Sequence, residues 1–125
     1  MGEMSMGNLY EANKQLILQN EKPLNHLELA RKQEMIEDFF EDSVVEYAML
    51  LCHDQRDYTV FELKPTTTAA HFAAREAIGC CTDRGEVYGV DKTDDGMAYE
   101  IWIKMDGEMF CYYLFPYDNA VIKCE

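Results

Sequence analysis

Residues 97–115, Met97 to Phe115, read MAYEIWIKMDGEMFCYYLF, and this stretch decides the fold class. Two runs rich in Tyr, Ile, Trp and Phe flank Asp106-Gly107. An Asp-Gly pair tolerates the positive φ that both central residues of a type I′ turn require, so the stretch predicts a β-hairpin with a two-residue loop. That loop sets Met105 opposite Glu108, Ile103 opposite Phe110, Ile101 opposite Tyr112 and Tyr99 opposite Leu114. Because side chains alternate along a strand, Tyr99, Ile101, Ile103, Phe110, Tyr112 and Leu114 share one face, the core face. The other face carries Glu100, Trp102, Lys104, Met109, Cys111, Tyr113 and Phe115. Trp102 with Cys111 and Tyr113 is too apolar for open water, while Glu100 and Lys104 are too polar for a dry interior. Either a helix or loop covers this face, or Trp102 and Tyr113 form an aromatic contact patch for a partner.

Working outward, Val44 to His53 and Tyr58 to Lys64 are two further β-rich runs around the turn Asp54-Gln55-Arg56-Asp57. A four-residue loop puts Ala48, Leu50, Cys52, Thr59, Phe61 and Leu63 on one face, and Tyr47, Met49, Leu51, His53, Tyr58 and Val60 on the other. Both faces are apolar, and a sheet apolar on both sides wants cover on both sides or a partner. Glu86 to Asp91 reads as a strand, and Lys92 to Gly96 as its turn into the central hairpin. Pro116 is expected to end that hairpin, with Ala120 to Cys124 as a short edge strand.

Three helices are expected. Asn8 looks like an N-cap with Glu11 three residues on, opening a stripe of Leu9, Ala12 and Leu16 that ends near Asn20. Asn25 caps the second helix, about His26 to Asp42, again with Glu at the third position. Its apolar arc is Leu29, Met35, Ile36, Phe39 and Phe40; the opposite arc is Glu34, Glu37, Asp38 and Glu41, with no base among them, and Asp42 extends it. Like charges one turn apart repel, and the helix dipole disfavours acids near its C-terminus. The third helix starts at Thr66 to Thr68, after Pro65, and stops at Gly79 or runs on to Gly85. Ala69, Ala70, Ala73, Ala74 and Ala77 give it a small-residue surface able to lie close on a sheet, with Phe72 pointing away beside Arg75 and Glu76. The order ααββαβββ predicts a single α+β domain over 1–125, with residues 1–7 a flexible end. Its antiparallel sheet has about five strands, with the third helix on one face and the N-terminal helix pair on the other or at an edge.

Composition narrows the function classes. A hydrophobic content of 48% with 12% aromatic residues describes a folded chain, and 24 acids against 11 bases give a net charge of −13. Such a chain repels nucleic acid and anionic membrane and attracts basic partners. No run approaches the roughly 18 apolar residues of a membrane span, and no signal-peptide pattern opens the chain, so the expected compartment is the cytoplasm. The five cysteines, an odd number, read as reduced thiols. Asp91 to Gly96 resembles the first half of a calcium loop, but its twelfth position is Trp102 where a bidentate Glu is needed, and a polar turn explains the same letters. Cys80-Cys81 with His71, and Cys52-His53, lack zinc-site spacing. Cys81 reads as a core thiol, not a nucleophile. A phosphate loop, a nucleophile elbow and a zincin motif are all missing, so no catalytic residue, metal or cofactor is assigned.

The expected function is that of a small, acidic, non-enzymatic binding or inhibitor protein. Glu34, Glu37, Asp38, Glu41 and Asp42 would form a row of carboxylates imitating phosphates, repeating at about 5.4 Å per turn. Trp102 and Tyr113 would supply the anchoring area. The partner would be a basic nucleic-acid-binding protein, blocked in the manner of phage-encoded anti-restriction and anti-CRISPR inhibitors. A solvated face of an ordinary acidic protein explains the same row of acids. Two other classes fit the sequence: a small-molecule-binding domain or minor enzyme, and a homo-oligomeric structural subunit whose association covers the apolar faces. The first would have a pocket between sheet and helix using Tyr47, His53, Tyr58 or Trp102.

Overall fold

Asp106 and Gly107 both hold positive φ, 52° and 80°, in the computed structural model. The hairpin they close pairs Met105 with Glu108, Ile103 with Phe110, Ile101 with Tyr112 and Tyr99 with Leu114, the register that the Asp-Gly loop dictates. The structure describes residues 22–42, 45–54, 57–63 and 67–117. The expected helix from Asn8 to Asn20, the loose end 1–7, the edge strand 120–124 and Cys124 lie outside the described residues. Within them the order is α1 (His26–Glu41), β1 (Tyr47–Cys52), β2 (Tyr58–Glu62), α2 (Thr67–Arg84), β3 (Glu86–Lys92), β4 (Tyr99–Met105) and β5 (Glu108–Tyr117). The five strands form one sheet in the order β2-β1-β5-β4-β3, every pair antiparallel. The fold is α+β.

The chain passes from edge strand β2 to the opposite edge, β3, through α2. Eighteen residues of helix measure about 27 Å, and five strands span about 19 Å, so one helix crosses the whole sheet. Ala70, Ala73, Ala74 and Ala77 are buried on its sheet side, which lets the helix axis come close. Gly79 does not stop it, since the helix runs on to Arg84 and a Cβ at Gly79 would meet nothing. Gly85 alone then separates helix from strand, and it is packed against backbone. A Cβ there would drive into the carbonyl oxygen of Lys104 and come within 3.0 Å of that carbonyl carbon and of Met105 Cγ.

The first described helix differs in placement from expectation. It packs against α2 and shares the core on that side of the sheet, not the opposite face. Ile36 and Phe40 join Ala70, Ala74, Ala77, Leu50, Val90, Ile101, Ile103 and Leu114 in one core. Entry to α1 follows the predicted capping box: Glu28 N–H donates to Asn25 Oδ1 and Asn25 N–H donates to Glu28 Oε1, both at 2.9 Å. Just before it, Leu24 N–H donates to the carbonyl of Val87 at 2.8 Å, which ties the helix entrance to the outer edge of β3.

The β1–β2 hairpin keeps its expected faces but shifts its register by two residues, pairing Leu51 with Tyr58 and Leu50 with Thr59. A two-residue slip preserves the alternation, so no side chain changes face. Asp57 supplies the reason. Its carboxylate accepts from Tyr112 Oη at 2.9 Å and from Arg84 Nε at 3.2 Å, and its carbonyl accepts from Cys52 N–H at 2.9 Å. Arg84 also donates to the carbonyl of Cys80 at 3.0 Å and sits 5.6 Å from the centre of the Tyr112 ring. The loop end is drawn under the C-terminus of α2. Pro116 lies inside β5 opposite Ala48 and does not end it. There β4 has already ended, because Tyr99 pairs with Leu114, so β5 keeps one strand neighbour and can carry a residue without an N–H.

On the second face Trp102, Met109 and Cys111 form a separate buried cluster, with Tyr88 and Tyr113 packed against it. A bulge between Val87 and Gly89 leaves Tyr88 as the extra residue in β3. Glu100 accepts from Trp102 Nε1 at 3.4 Å. Burial lifts the pKa of Glu100, with smaller upward pushes from Asp94 and Asp91, against the lowering effect of the Trp102 bond. The folded chain therefore holds this proton more tightly than the unfolded chain, and stability falls as pH rises through the folded value. Glu100→Gln keeps an acceptor for Trp102 without the charge. It is expected to raise the thermal midpoint at about pH 7 and leave it unchanged at about pH 3. A lower midpoint at the higher pH would mean that the ionised carboxylate stabilises the fold.

Candidate functional site

The exposed side of α1 is acidic because its apolar residues are spent on the core. Ile36 and Phe40 are buried, and Glu34, Asp38, Glu41 and Asp42 are exposed. Asp42 is the C-cap, its N–H donating to the carbonyl of Asp38 at 3.3 Å, and the last turn of α1 holds no base. Among the described residues no Lys, Arg or His pairs with these four side chains. Glu37 faces differently. Half-buried between the helices, it meets His71 Nδ1 of α2 at 3.1 Å. The five predicted acids thus separate into one that holds two helices together and four that line the outer surface.

Beside this row lies a cavity of about 650 Å³. It is lined by Met35, Asp38 and Phe39 of α1 with the C-cap Asp42, by Lys92 at the end of β3, by Gly96 and Met97 of the β3–β4 connection, and by Tyr99 and Pro116. The apolar arc of α1 is wider than the strip that the core buries, so Met35 remains 44% exposed, and Met97 remains 66% exposed. Phe39 meets Tyr99 edge-on at 5.3 Å, and Tyr99 Oη donates to the Met35 carbonyl at 3.4 Å. Burial raises the Tyr99 pKa, and the Asp38 charge raises it further. Lys92 reaches over both rings, its Nζ 5.2 Å from the Phe39 centroid and 5.8 Å from that of Tyr99.

The β3–β4 connection is a self-contained turn. Asp95 accepts from Thr93 Oγ1 at 2.7 Å and from Met97 N–H at 2.9 Å, and these bonds lower its pKa. Gly96 takes φ 73°, and Thr93 N–H donates to the Ala98 carbonyl at 2.8 Å. Among the described residues no group of three or more His, Cys, Asp or Glu is gathered in a metal-binding arrangement.

Trp102 is not on the surface. At 3% exposure it offers no anchoring area, a correction to the expected aromatic patch. Tyr113 is half-buried and its Oη lies 3.3 Å from His53 Nδ1. Tyr47, His53, Tyr58 and Trp102 do not line this cavity. Cys81 is fully buried, and burial pushes its thiol up to about 12; Cys111 is raised for the same reason, so neither is poised as a thiolate. Phe72, 53% exposed, stands outside the core with Arg75 at 5.9 Å from its ring. Among the described residues no helix is long and apolar enough to cross a membrane. Comparisons with protein-family models, with curated proteins and with solved structures return no match.

Proposed function

We propose that the protein is a non-enzymatic acidic binding protein that occupies the basic surface of a nucleic-acid-binding partner through α1. One observation carries this reading: Glu34, Asp38, Glu41 and Asp42 are exposed and lack basic partners among the described residues, and the last three stand at the helix end where negative charge is least stable. Solubility would be served by acids placed anywhere. A helix that places three of the four at its unfavourable end accepts a stability cost that a binding surface explains. Glu34, Asp38 and Asp42 also rise in steps of four residues, about 6 Å each, of the order of the separation of successive backbone phosphates. A nuclease or restriction enzyme is the partner class that this arrangement suits best.

The test is capture of partners on immobilised protein at low and high salt, followed by competition of the purified partner with duplex DNA. The expected partner binds nucleic acid and is released by salt, because exposed charge contacts are screened. DNA is expected to displace it. The variant Glu34→Lys, Asp38→Lys, Glu41→Lys, Asp42→Lys is expected to lose capture altogether. Full retention by that variant would remove α1 from the site.

A further inference from the structure

We infer that the cavity between α1 and the β3–β4 turn is a receptor for an arginine side chain carried on a protruding segment of the protein partner. The inference rests on the acidic-binding reading and adds to it a specific pocket. Size and lining come first. About 650 Å³ of mostly apolar space with a few polar groups in its lining is an ordinary ligand site, large enough for one long side chain and its neighbours.

The sign of the guest follows from charge. Asp38 and Asp42 face the cavity against one base, Lys92, and exposed Asp94 and Asp95 belong to the turn that carries Gly96 and Met97. The pocket is therefore net negative. Its aromatic part already holds a cation, since the Lys92 ammonium lies over the faces of Phe39 and Tyr99 at 5.2 and 5.8 Å. Lys92 is an exposed side chain on a flexible stem and acts as an internal occupant that can swing out. Arginine suits the vacated position better than lysine. Its planar guanidinium stacks on aromatic faces and forks onto carboxylates, and its methylene stem would pack between Met35 and Met97.

Lys92 makes the inference discriminating. If the guest is a cation, Lys92 competes with it; if the guest is an anion, Lys92 anchors it. Protein carrying ¹³C-methyl methionine would be titrated with the blocked peptide acetyl-Gly-Arg-Phe-Arg-Gly-amide. Parallel titrations would use peptides with citrulline, and then glutamate, in place of both arginines. The Met35 and Met97 methyl signals are expected to shift saturably with the arginine peptide and much less with the citrulline peptide, which keeps the shape and removes the charge. Asp38→Asn and Asp42→Asn should each weaken binding about two- to five-fold, and Lys92→Ala should tighten it by a similar factor. The remaining methionine signals report that each variant is folded.

Equal binding of the citrulline peptide, preference for the glutamate peptide, weaker binding by Lys92→Ala, or no shift at Met35 and Met97 would each overturn the proposal. The two readings also fail separately. Salt-sensitive capture that depends on α1, with silent Met35 and Met97, removes the pocket and leaves the acidic surface. Peptide binding at the pocket without capture of any nucleic-acid-binding partner does the reverse.

Discussion

Trp102→Ala is expected to lower the unfolding free energy by about 3–5 kcal/mol, the range for truncating a large buried aromatic side chain. Trp102 is 3% exposed and packs with Met109, at 1%, and Cys111, fully buried, on the sheet face away from both described helices. Removing the indole opens a cavity in that cluster and takes away the Nε1 donor to Glu100, a carboxylate that burial already destabilises. Denaturant unfolding monitored by circular dichroism measures the loss, and Trp102→Phe, which keeps most of the ring volume, should recover a large part of it. Near-native stability of Trp102→Ala, together with weaker partner binding, would return this residue to the contact surface and contradict the packing described here.

The second large effect belongs to Gly85. Gly85→Ala is expected to cost about 3 kcal/mol, at the upper end of the usual range for overpacking. The atom in the way is the carbonyl oxygen of Lys104 in β4, which pairs with β3 and β5 on its two sides and so has little room to retreat. Gly79→Ala is the matched control, six residues earlier in the same chain segment. Its new Cβ meets nothing, and an interior helical glycine replaced by alanine gains about 0.5–1 kcal/mol. Opposite shifts of the two denaturation midpoints are the expected result. Equal midpoints for the two variants would mean that the α2–β3 junction can relax, and that one residue of connection does not fix how the helix sits on the sheet.

Much of this architecture was legible in the sequence, because local chemistry and long-range packing agree. Asp106-Gly107 set the turn, the turn set the register of β4 and β5, and alternation then named the core residues Tyr99, Ile101, Ile103, Tyr112 and Leu114. Asn25 and Glu28 marked the start of α1 for the same reason, since a capping box is complete within four residues. What could not be read depends on contacts between distant residues. The register of β1 and β2 turns on Asp57 meeting Arg84 and Tyr112, which no spacing within the hairpin reveals. The side on which α1 lies was equally hidden, because an apolar arc says that a helix is buried without saying against which face.

The site divides along the same line. Its carboxylates were visible as an unbalanced helix face, whereas the cavity was not, since Phe39, Lys92 and Tyr99 come together only in three dimensions. One signal was available. Met35 widens the apolar arc of α1 beyond what Ile36 and Phe40 need, and a surplus of apolar surface at the border of a helix face marks a place where something else can sit. Trp102 carried the converse lesson, because an aromatic residue on a mixed face looks the same whether it is covered or offered.

The two rims of the sheet are not equivalent. At β3 the bulge at Tyr88, the exposed charges of Glu86, Asp91 and Lys92, and the bond from Leu24 to Val87 all interrupt the row of backbone groups that another strand would need. At β2 the five residues from Tyr58 to Glu62 run without a bulge, and among the described residues β1 is their one strand neighbour. Among the described residues, then, strand-by-strand growth into a larger assembly is directional: the β3 rim opposes it and the β2 rim does not.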